Sequence, residues 1–317
     1  MKTKLDVKNN DNLFGHLLAG ATIFVWSSTF LASDSLLDVN GAFRLTPTQL
    51  IVMRFIVSYV ALLIIRPRIS KPVLRDEIGF ALMGVVGCAL YYFTENSALL
   101  YTSPSNVSII VASAPILTSV LAHFTSKDEK MTLNTLWGFL IAFLGVILVV
   151  LNGVFVLKLS PLGDFLALVA ALMWAIYSVL LKPFVAKYDS IELTRKVLFY
   201  GVLSSAILLL IENKPLPSAN VFAIPGLWFR LGFLGLIGSG VCYVTWNMAV
   251  KRIGVVISNN YIYLGPFITI LMEYLIRNVI QHKSDTVISL MSIIGAVLIV
   301  FGVIVSSMKR KKDRSKV

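Results

Sequence analysis

The sequence predicts an all-α membrane protein with ten transmembrane helices in two inverted five-helix repeats. The first observation is the composition: 57% of the 317 residues are hydrophobic and only 14% are charged, whereas soluble domains average about 25% charged residues. The second is that apolar runs of about 20 residues, long enough to cross a bilayer, recur along the chain. The third is that the two halves of the chain resemble each other in sequence.

Ten apolar runs define the predicted helices. They cover residues 13–36, 47–65, 77–99, 105–124, 133–151, 162–181, 193–211, 228–250, 256–276 and 286–307. The connections between them are short, so the sequence predicts no soluble domain. The polar lead before the first run is followed by no small-residue cleavage site, and we therefore expect that this helix is retained and is not a signal peptide.

The resemblance between the halves is strongest when residues 84–118 are compared with residues 235–269, a shift of 151 positions. The identical pairs are Gly84/Gly235, Gly87/Gly238, Tyr92/Tyr243, Thr94/Thr245, Asn96/Asn247, Ala98/Ala249, Pro115/Pro266 and Thr118/Thr269. Each predicted repeat, 13–151 and 162–307, holds five helices. Because five is odd, the second repeat must run upside down relative to the first, an arrangement typical of secondary transporters.

The placement of basic residues predicts the orientation in the membrane. Of the 28 Lys and Arg residues, 21 fall on the side that holds both termini, six fall on the other side, and Arg54 lies inside a helix. Basic residues accumulate on the cytoplasmic side, so we expect a multi-pass protein of the plasma membrane with both termini cytoplasmic. The net charge of +12 is then explained by the lipid bilayer as partner, with the basic tail 308–317 at an anionic leaflet and no nucleic acid.

Motifs for metal, cofactor or covalent chemistry are missing from the sequence. Cys88 and Cys242 both lie in the middle of predicted helices, which favours packing over a disulfide or a metal site. No zinc-ligand spacing, phosphate-binding loop or hydrolase motif is present. We therefore expect no metal, no cofactor and no enzyme. An intramembrane enzyme acting on lipid-linked substrates would need paired acidic residues or a His–Asp cluster at one depth, which the sequence lacks.

Two charged residues inside the predicted membrane require an explanation, because a charge there costs about 2.5–3.5 kcal/mol on insertion scales. Arg54 lies roughly 12 Å deep in the second helix at 1.5 Å per residue, and Glu95 lies near the outer end of the third. One interpretation is a static Arg54–Glu95 pair that joins the two helices. The alternative is functional: Arg54 binds an anionic group of a substrate, or Glu95 binds a proton. We favour the pair with a secondary substrate role for Arg54, and a local Glu273–Arg277 pair in the ninth helix.

Polar and aromatic residues in mid-helix positions predict the wall of a central cavity. Trp26 and Trp174 correspond under a shift of 148 and lie far from the membrane interfaces that tryptophan usually prefers. The predicted substrate-binding residues are Trp26, Arg54, Tyr92, Glu95, Asn96, Trp174, Tyr243, Asn247 and Asn259. Pro115 and Pro266 are predicted hinges at corresponding positions, because proline removes a backbone hydrogen bond; simple helix curvature is the alternative.

Several of these segments resemble those of EamA-type ten-helix carriers in the drug/metabolite transporter superfamily. Residues 26–30 read WSSTF, Arg54 is followed by Phe55, and 105–118 begin SNVS and end APILT. Residues 138–146 carry a G-x-x-L-x-x-x-G-V pattern, and 163–177 begin with Gly-Asp and end WAIY. The resemblance spans nearly the whole chain in order. It implies the ten-helix inverted-repeat fold and export of small metabolites, commonly amino acids or amphipathic compounds.

The function expected from these features is secondary active transport by alternating access. No nucleotide site is present in the sequence, so the driving force would be a gradient of protons, of another ion or of the substrate itself. The expected partners are therefore a small-molecule substrate, the lipid bilayer and a coupling ion, and the sequence leaves a homodimer open. A lipid flippase or scramblase on the same scaffold is the alternative function.

Overall fold

The computed structural model describes residues 4–67, 73–125, 131–151, 160–213, 215–276 and 290–308. In this part of the chain the regular secondary structure is entirely helical. The main helices are α1 (Lys4–Leu37), α2 (Pro47–Ile65), α3 (Leu74–Leu99), α4 (Pro104–Thr125), α5 (Leu133–Leu151), α6 (Pro161–Lys187), α7 (Ser190–Ile211), α8 (Pro225–Ile253), α9 (Val255–Tyr274) and α10 (Leu290–Ser307).

Eight of these helices are long and apolar enough to cross a membrane, and α5 and α10 contain shorter apolar stretches. The helices begin and end close to the predicted bounds. The largest differences are at the start of α1, which begins at Lys4 and not at residue 13, and at the end of α6, which was predicted to stop at residue 181 but continues to Lys187 with Pro183 inside its last turns. A proline near a helix end removes a single hydrogen bond and leaves the preceding turns intact, so the helix extends beyond the apolar run.

Local sequence signals set the helix starts. Thr46 caps α2 through a reciprocal pair of hydrogen bonds with Gln49, and Pro47 follows at the first helical position. Ser103 and Asp189 cap α4 and α7 with their side chains. Such caps satisfy the backbone N–H groups that have no partner within the helix, which is why short loops are sufficient between consecutive helices.

The helices of the first half pack mainly against those of the second. Helix α1 contacts α8 and α9, α2 contacts α7 and α8, and α3 contacts α6 and α7, while α4 lies against α6 and α9. Helices α5 and α10, which both also contact α9, pack most closely against each other. Glycines allow this last approach: a side chain at Gly138, Gly145 or Gly302 would collide with the backbone of the opposite helix. The interior that results lies between the halves and not within either one.

Four helices depart from regular α geometry at positions that correspond between the halves. Helix α3 contains a π-helical segment, Val85–Leu90, and α8 contains one at Phe233–Val241. Helix α4 is interrupted after Val111, and α9 contains a 3-10 turn at Tyr261–Leu264. Under the shift of 151, the two π-helical segments overlap and the two interruptions coincide. Irregular turns of this kind inside helices are frequent at functional sites.

The predicted hinge residues Pro115 and Pro266 stand directly after the interruptions of α4 and α9. Each is the second residue of the helical segment that follows, Ala114–Thr125 in α4 and Gly265–Tyr274 in α9, and both are buried. A proline at the first turn lacks only an N–H that would have no helical partner. The prolines therefore start new helical segments inside a membrane span, and motion about them stays a prediction.

Some predictions concern residues outside the described ranges. The Glu273–Arg277 pair is one, because Arg277 lies outside them, as does the basic tail beyond residue 308. Glu273 itself is described and accepts a hydrogen bond from the hydroxyl of Ser105 in α4. This contact links α9 to the start of α4 on the side predicted to be extracellular.

Candidate functional site

An aromatic cluster occupies the interior between the two halves. Trp26 of α1 and Trp174 of α6 meet edge to face, with ring centroids 5.0 Å apart at 85°. Trp246 lies 5.2 Å from Trp26, Tyr243 lies 5.8 Å from Trp26, and Tyr91 lies 5.2 Å from Trp174, measured between ring centroids. The two tryptophans singled out from the sequence therefore contact each other, in a cluster that α1, α3, α6 and α8 build together.

Hydrogen bonds fix the orientation of the rings in this cluster. The indole N–H of Trp26 donates to the carbonyl of Gly238 at 2.8 Å, and the Tyr243 hydroxyl donates to the carbonyl of Gly87 at 2.9 Å. Both carbonyls belong to the π-helical segments, where the widened turn leaves backbone groups available to side chains. The indole N–H of Trp174 instead donates to the side-chain oxygen of Asn259 at 3.0 Å.

A small central cavity of about 40 Å³ lies beside the cluster. Of the nine predicted substrate-binding residues, Trp26, Tyr92, Glu95 and Trp174 line it. At roughly 10–15 Å³ per enclosed water, this volume holds only a few water molecules. A larger ligand would need the neighbouring helices to separate.

Arg54 lies next to this cavity without lining it. Its side chain is fully buried, Nε donates to the Ser239 hydroxyl at 2.5 Å, and Nη2 donates to the Tyr92 hydroxyl at 3.3 Å. The guanidinium carbon stands 4.3 Å from the centre of the Tyr92 ring, a cation–π distance. Nη1 has no hydrogen-bond partner. Arg54 is thus held by α3 and α8, and Tyr92 is in contact with both Arg54 and the cavity.

Glu95 lies on α3 with 3% of its surface exposed, and it lines the cavity. Its Oε2 atom has no hydrogen-bond partner. Arg54 and Glu95 do not form a salt bridge, although both residues are described, so the favoured interpretation of a static pair is wrong for this conformation. The error arose because helix rise gives the depth of a residue but not the direction in which its side chain points.

None of the three predicted asparagines lines the cavity, and two of them connect helices. Asn259 accepts from Trp174 and from Ser178 of α6 and donates to the backbone of its own helix. Asn247 donates to the Thr194 hydroxyl at 2.9 Å, which joins α8 to α7. Neither amide atom of Asn96 has a hydrogen-bond partner, although the residue is fully buried. Tyr243 does not line the cavity either, and its hydroxyl donates to the Gly87 carbonyl.

Sequence reasoning missed other residues of the cavity wall. Tyr91, Phe30 and Ser108 line it together with Thr29. Phe30 and Thr29 belong to the segment 26–30, whose resemblance to the carriers was noted without a role for its last two residues. Ser108 corresponds to Asn259 under the shift of 151, but Asn259 does not line the cavity, so the repeat gives no signal that identifies Ser108.

A larger cleft of about 620 Å³ opens at the end of the molecule that the basic residues predict to be cytoplasmic. It lies between the start of α1, the start of α7 and the end of α8, and Asp189, Lys251 and Arg252 are among its polar walls. Val244 and Met248 of α8 line its apolar side. Between the cleft and the aromatic cluster, the hydroxyls of Thr22 and Thr245 lie 2.7 Å apart and join α1 to α8.

No cluster of metal-ligating side chains occurs among the described residues. The residues of the cavity are aromatic, hydroxyl-bearing and acidic, which suits recognition of an organic molecule by ring faces and a few polar groups. They offer no paired acid and base at the reach that covalent or hydrolytic chemistry requires.

Comparisons with known proteins agree with this architecture. The sequence profile of the EamA-like transporter family matches residues 13–151 and 161–308. An uncharacterized transporter of Bacillus subtilis (strain 168), YyaM, is 28% identical over 299 residues, which cover 92% of each chain. A solved crystal structure is similar with a TM-score of 0.68 over 94% of this chain and 96% of its own, at 21% identity. That likeness concerns the fold alone.

A second relative has a name that refers to a substrate. It is the probable terminal-alkyne amino-acid exporter of Streptantibioticus cattleyicolor, which is 26% identical over 280 residues. The matched region covers 88% of this chain and 90% of that protein. The match is therefore long enough to extend into both halves of the chain.

Proposed function

This chain belongs to the EamA-like transporter family, and we propose that it is a secondary active transporter that exports small metabolites, amino acids or amphipathic compounds among them, by alternating access. The observation that carries the proposal is the central cavity between the two halves, walled by Trp26 and Trp174 from corresponding positions. A site at the interface of two sequence-related halves is where transporters of this architecture bind substrate.

The difference between the central cavity and the cytoplasmic cleft supports alternating access. The cavity measures about 40 Å³, whereas the cleft measures about 620 Å³. A ligand of amino-acid size could enter the cleft but not the cavity as it stands. We propose that α1 and α8 separate at the Thr22–Thr245 contact when the site opens to the cytoplasm, the side on which both termini are predicted to lie.

The helix interruptions offer places where such a motion can occur at low cost. A π-helical or 3-10 turn has weaker backbone hydrogen bonding than a regular α-helix, and Pro115 and Pro266 follow directly after two of these turns. We propose that α3, α4, α8 and α9 bend there, which would move one half of each helix relative to the cavity without unfolding the other.

The substrate class is suggested by the lining and by one relative. Ring faces and an acidic side chain suit a molecule with an apolar part and a polar head. One relative that matches both halves is named as an amino-acid exporter. We therefore propose amino acids and related small metabolites as the first substrates to test, driven by a proton, another ion or the substrate gradient.

The test is transport by the purified full-length protein in proteoliposomes with a panel of radiolabelled amino acids. We expect counterflow of at least one of them over protein-free vesicles. Trp26→Ala should lower the transport rate at least about tenfold, because the loss of only about 1.4 kcal/mol of substrate-binding free energy weakens binding by a factor of ten. Trp137→Ala on α5 is a matched control, because Trp137 is 59% exposed on the surface and does not line the cavity.

Absence of counterflow for every amino acid, in protein that remains monodisperse, would contradict the proposed substrate class. Equal transport by the wild-type protein and Trp26→Ala would place the substrate elsewhere. Transfer of fluorescent phospholipid between leaflets, measured in the same vesicles, would favour the alternative of a lipid flippase or scramblase.

A further inference from the structure

The central cavity has one charged side chain in its wall, and that side chain is acidic. Glu95 is the only Asp, Glu, Lys or Arg residue among the cavity's described lining. Only 3% of the surface of Glu95 is exposed, and its Oε2 atom has no hydrogen-bond partner. A buried carboxylate oxygen without a partner is costly in a low-dielectric interior, so its presence calls for a positively charged or hydrogen-bond-donating ligand.

No described side chain bonds to this Oε2 atom. Arg54 is the neighbouring cation, but its Nε and Nη2 atoms donate to Ser239 and Tyr92, and its Nη1 atom has no hydrogen-bond partner. Arg54 makes no salt bridge with Glu95 and does not line the cavity. Arg54 therefore supplies positive charge to the region while the cavity-facing carboxylate oxygen stays available.

The rest of the wall also suits a cation. Trp26, Tyr91, Tyr92 and Trp174 line the cavity around Glu95. The faces of aromatic rings attract an ammonium group, tryptophan most strongly, and the attraction increases when the group is removed from water. An acidic oxygen combined with tryptophan and tyrosine rings is the chemistry that recognises an alkylammonium ion. An anionic group would meet the carboxylate's repulsion instead.

We propose that Glu95 and the surrounding aromatic rings bind the protonated amino group of the substrate. This inference rests on the proposed function and narrows its substrate class to molecules with a free ammonium group, whether amines or amino acids with an unmodified amino nitrogen. N-acylated or purely anionic relatives of the same molecules are excluded. Arg54 is assigned a positioning role through Tyr92, and it does not contact the substrate.

The test compares two probes of nearly the same shape that differ in charge. Benzylamine, which is protonated at pH 7, and neutral benzyl alcohol are titrated onto the purified full-length protein, and binding is followed by tryptophan fluorescence and by thermal unfolding. Some close charge pairs shielded from water contribute a factor of ten or more in affinity. We expect the ammonium probe to bind at least about tenfold more tightly than the alcohol.

Two variants test whether the preference for the ammonium probe depends on Glu95. Glu95→Gln keeps the size of the side chain and removes its charge, and it should abolish the preference for the ammonium probe. Glu273→Gln is the matched control: Glu273 is another carboxylate inside a predicted span, but it bonds to Ser105 and does not line the cavity. This control should retain the wild-type preference.

Equal binding of the two probes to the wild-type protein would overturn the inference, and so would an unchanged preference in Glu95→Gln. The comparison of the two probes on the wild-type protein tests the inference even if the Glu95→Gln variant does not fold. Failure of the proposed function is a separate result: the ammonium preference would persist in binding while no amino acid moved in proteoliposomes. Transport of N-acetylated amino acids as fast as the free ones would overturn the inference and leave the proposed function intact.

Discussion

The two halves of this protein share a framework but place different chemistry on it. Trp26 and Trp174 correspond in sequence, yet Trp26 bonds to the backbone of the α8 π-helical segment whereas Trp174 bonds to the side chain of Asn259. Tyr92 and Tyr243 also correspond, yet Tyr243 bonds to the α3 π-helical segment whereas Tyr92 accepts from Arg54. Residues that correspond in sequence therefore have different hydrogen-bond partners in the two halves.

The charged residues beside the cavity are also distributed unequally between the two halves. Glu95 corresponds to Trp246 under the shift of 151, so the first half carries a carboxylate where the second carries an indole. Both residues are buried, and Trp246 packs against Trp26 with centroids 5.2 Å apart. We propose that the repeat defines where the cavity lies, and that departures from the repeat define what the cavity binds. Three pairs of variants test this separation.

The largest expected effect concerns the charges of the first half. Arg54→Leu should lower the free energy of unfolding by about 2–3 kcal/mol, because hydrogen bonds from a buried charged group are lost. Adding Glu95→Leu should not restore it, and the coupling between the two changes should stay below about 1 kcal/mol. Denaturant unfolding in detergent measures the stability of the two single variants, Arg54→Leu and Glu95→Leu, and of the double variant. Recovery of most of the loss in the double variant would establish the static pair that this conformation lacks.

A smaller effect is expected when the corresponding tyrosines lose their hydroxyls. Tyr243→Phe leaves the Gly87 carbonyl, bonded at 2.9 Å, without its side-chain partner, which should cost about 1–2 kcal/mol. Tyr92→Phe removes a longer bond of 3.3 Å, and Arg54 keeps its contact with Ser239, so the cost should be below about 1 kcal/mol. Thermal unfolding of the two variants in parallel makes the comparison. Equal losses would mean that the halves are energetically equivalent here.

The smallest effect is expected for the indole N–H groups. Trp174→Phe leaves Asn259 with Ser178 as a second donor at 3.3 Å, so the change should be a few tenths of a kcal/mol. Trp26→Phe removes the side-chain donor to the Gly238 carbonyl and should cost about 1 kcal/mol. The same unfolding measurement ranks them, and a greater loss for Trp174→Phe would reverse the inferred asymmetry.

Sequence alone predicted much of this architecture, because a bilayer permits few structures in which every backbone N–H and C=O group has a hydrogen-bond partner. Apolar runs gave most of the helix bounds to within a few residues, with the start of α1 and the end of α6 as exceptions. The correspondence of Trp26 with Trp174 indicated two residues that do meet. The π-helical segments were not predicted: the glycine pairs at 87 and 238 marked close approach but not the widened turn. Such a segment adds a residue to a turn and rotates everything after it.

This rotation limits what could be predicted about Glu95. The residue follows the π-helical segment of α3 by one turn, so its direction depends on a local irregularity that composition does not reveal. Arg54 and Glu95 were placed at similar depths, and yet they have different neighbours. The roles of Tyr91 and Ser108 were missed for a related reason, since each lies among similar residues and only the packed helices select which ones reach the cavity.

We propose that the two sequence-related halves cross the membrane in opposite directions and enclose one site. Leu100 and Lys251 test it directly, because they correspond under the shift of 151, both are exposed, and they stand at the ends of α3 and α8. Leu100→Cys and Lys251→Cys are labelled in intact cells with a membrane-impermeant maleimide; the native Cys88 and Cys242 are buried, so the wild-type protein serves as the unlabelled control. The account predicts labelling of Leu100→Cys from outside and of Lys251→Cys only after the membrane is opened. Labelling of both positions from the same side would contradict it.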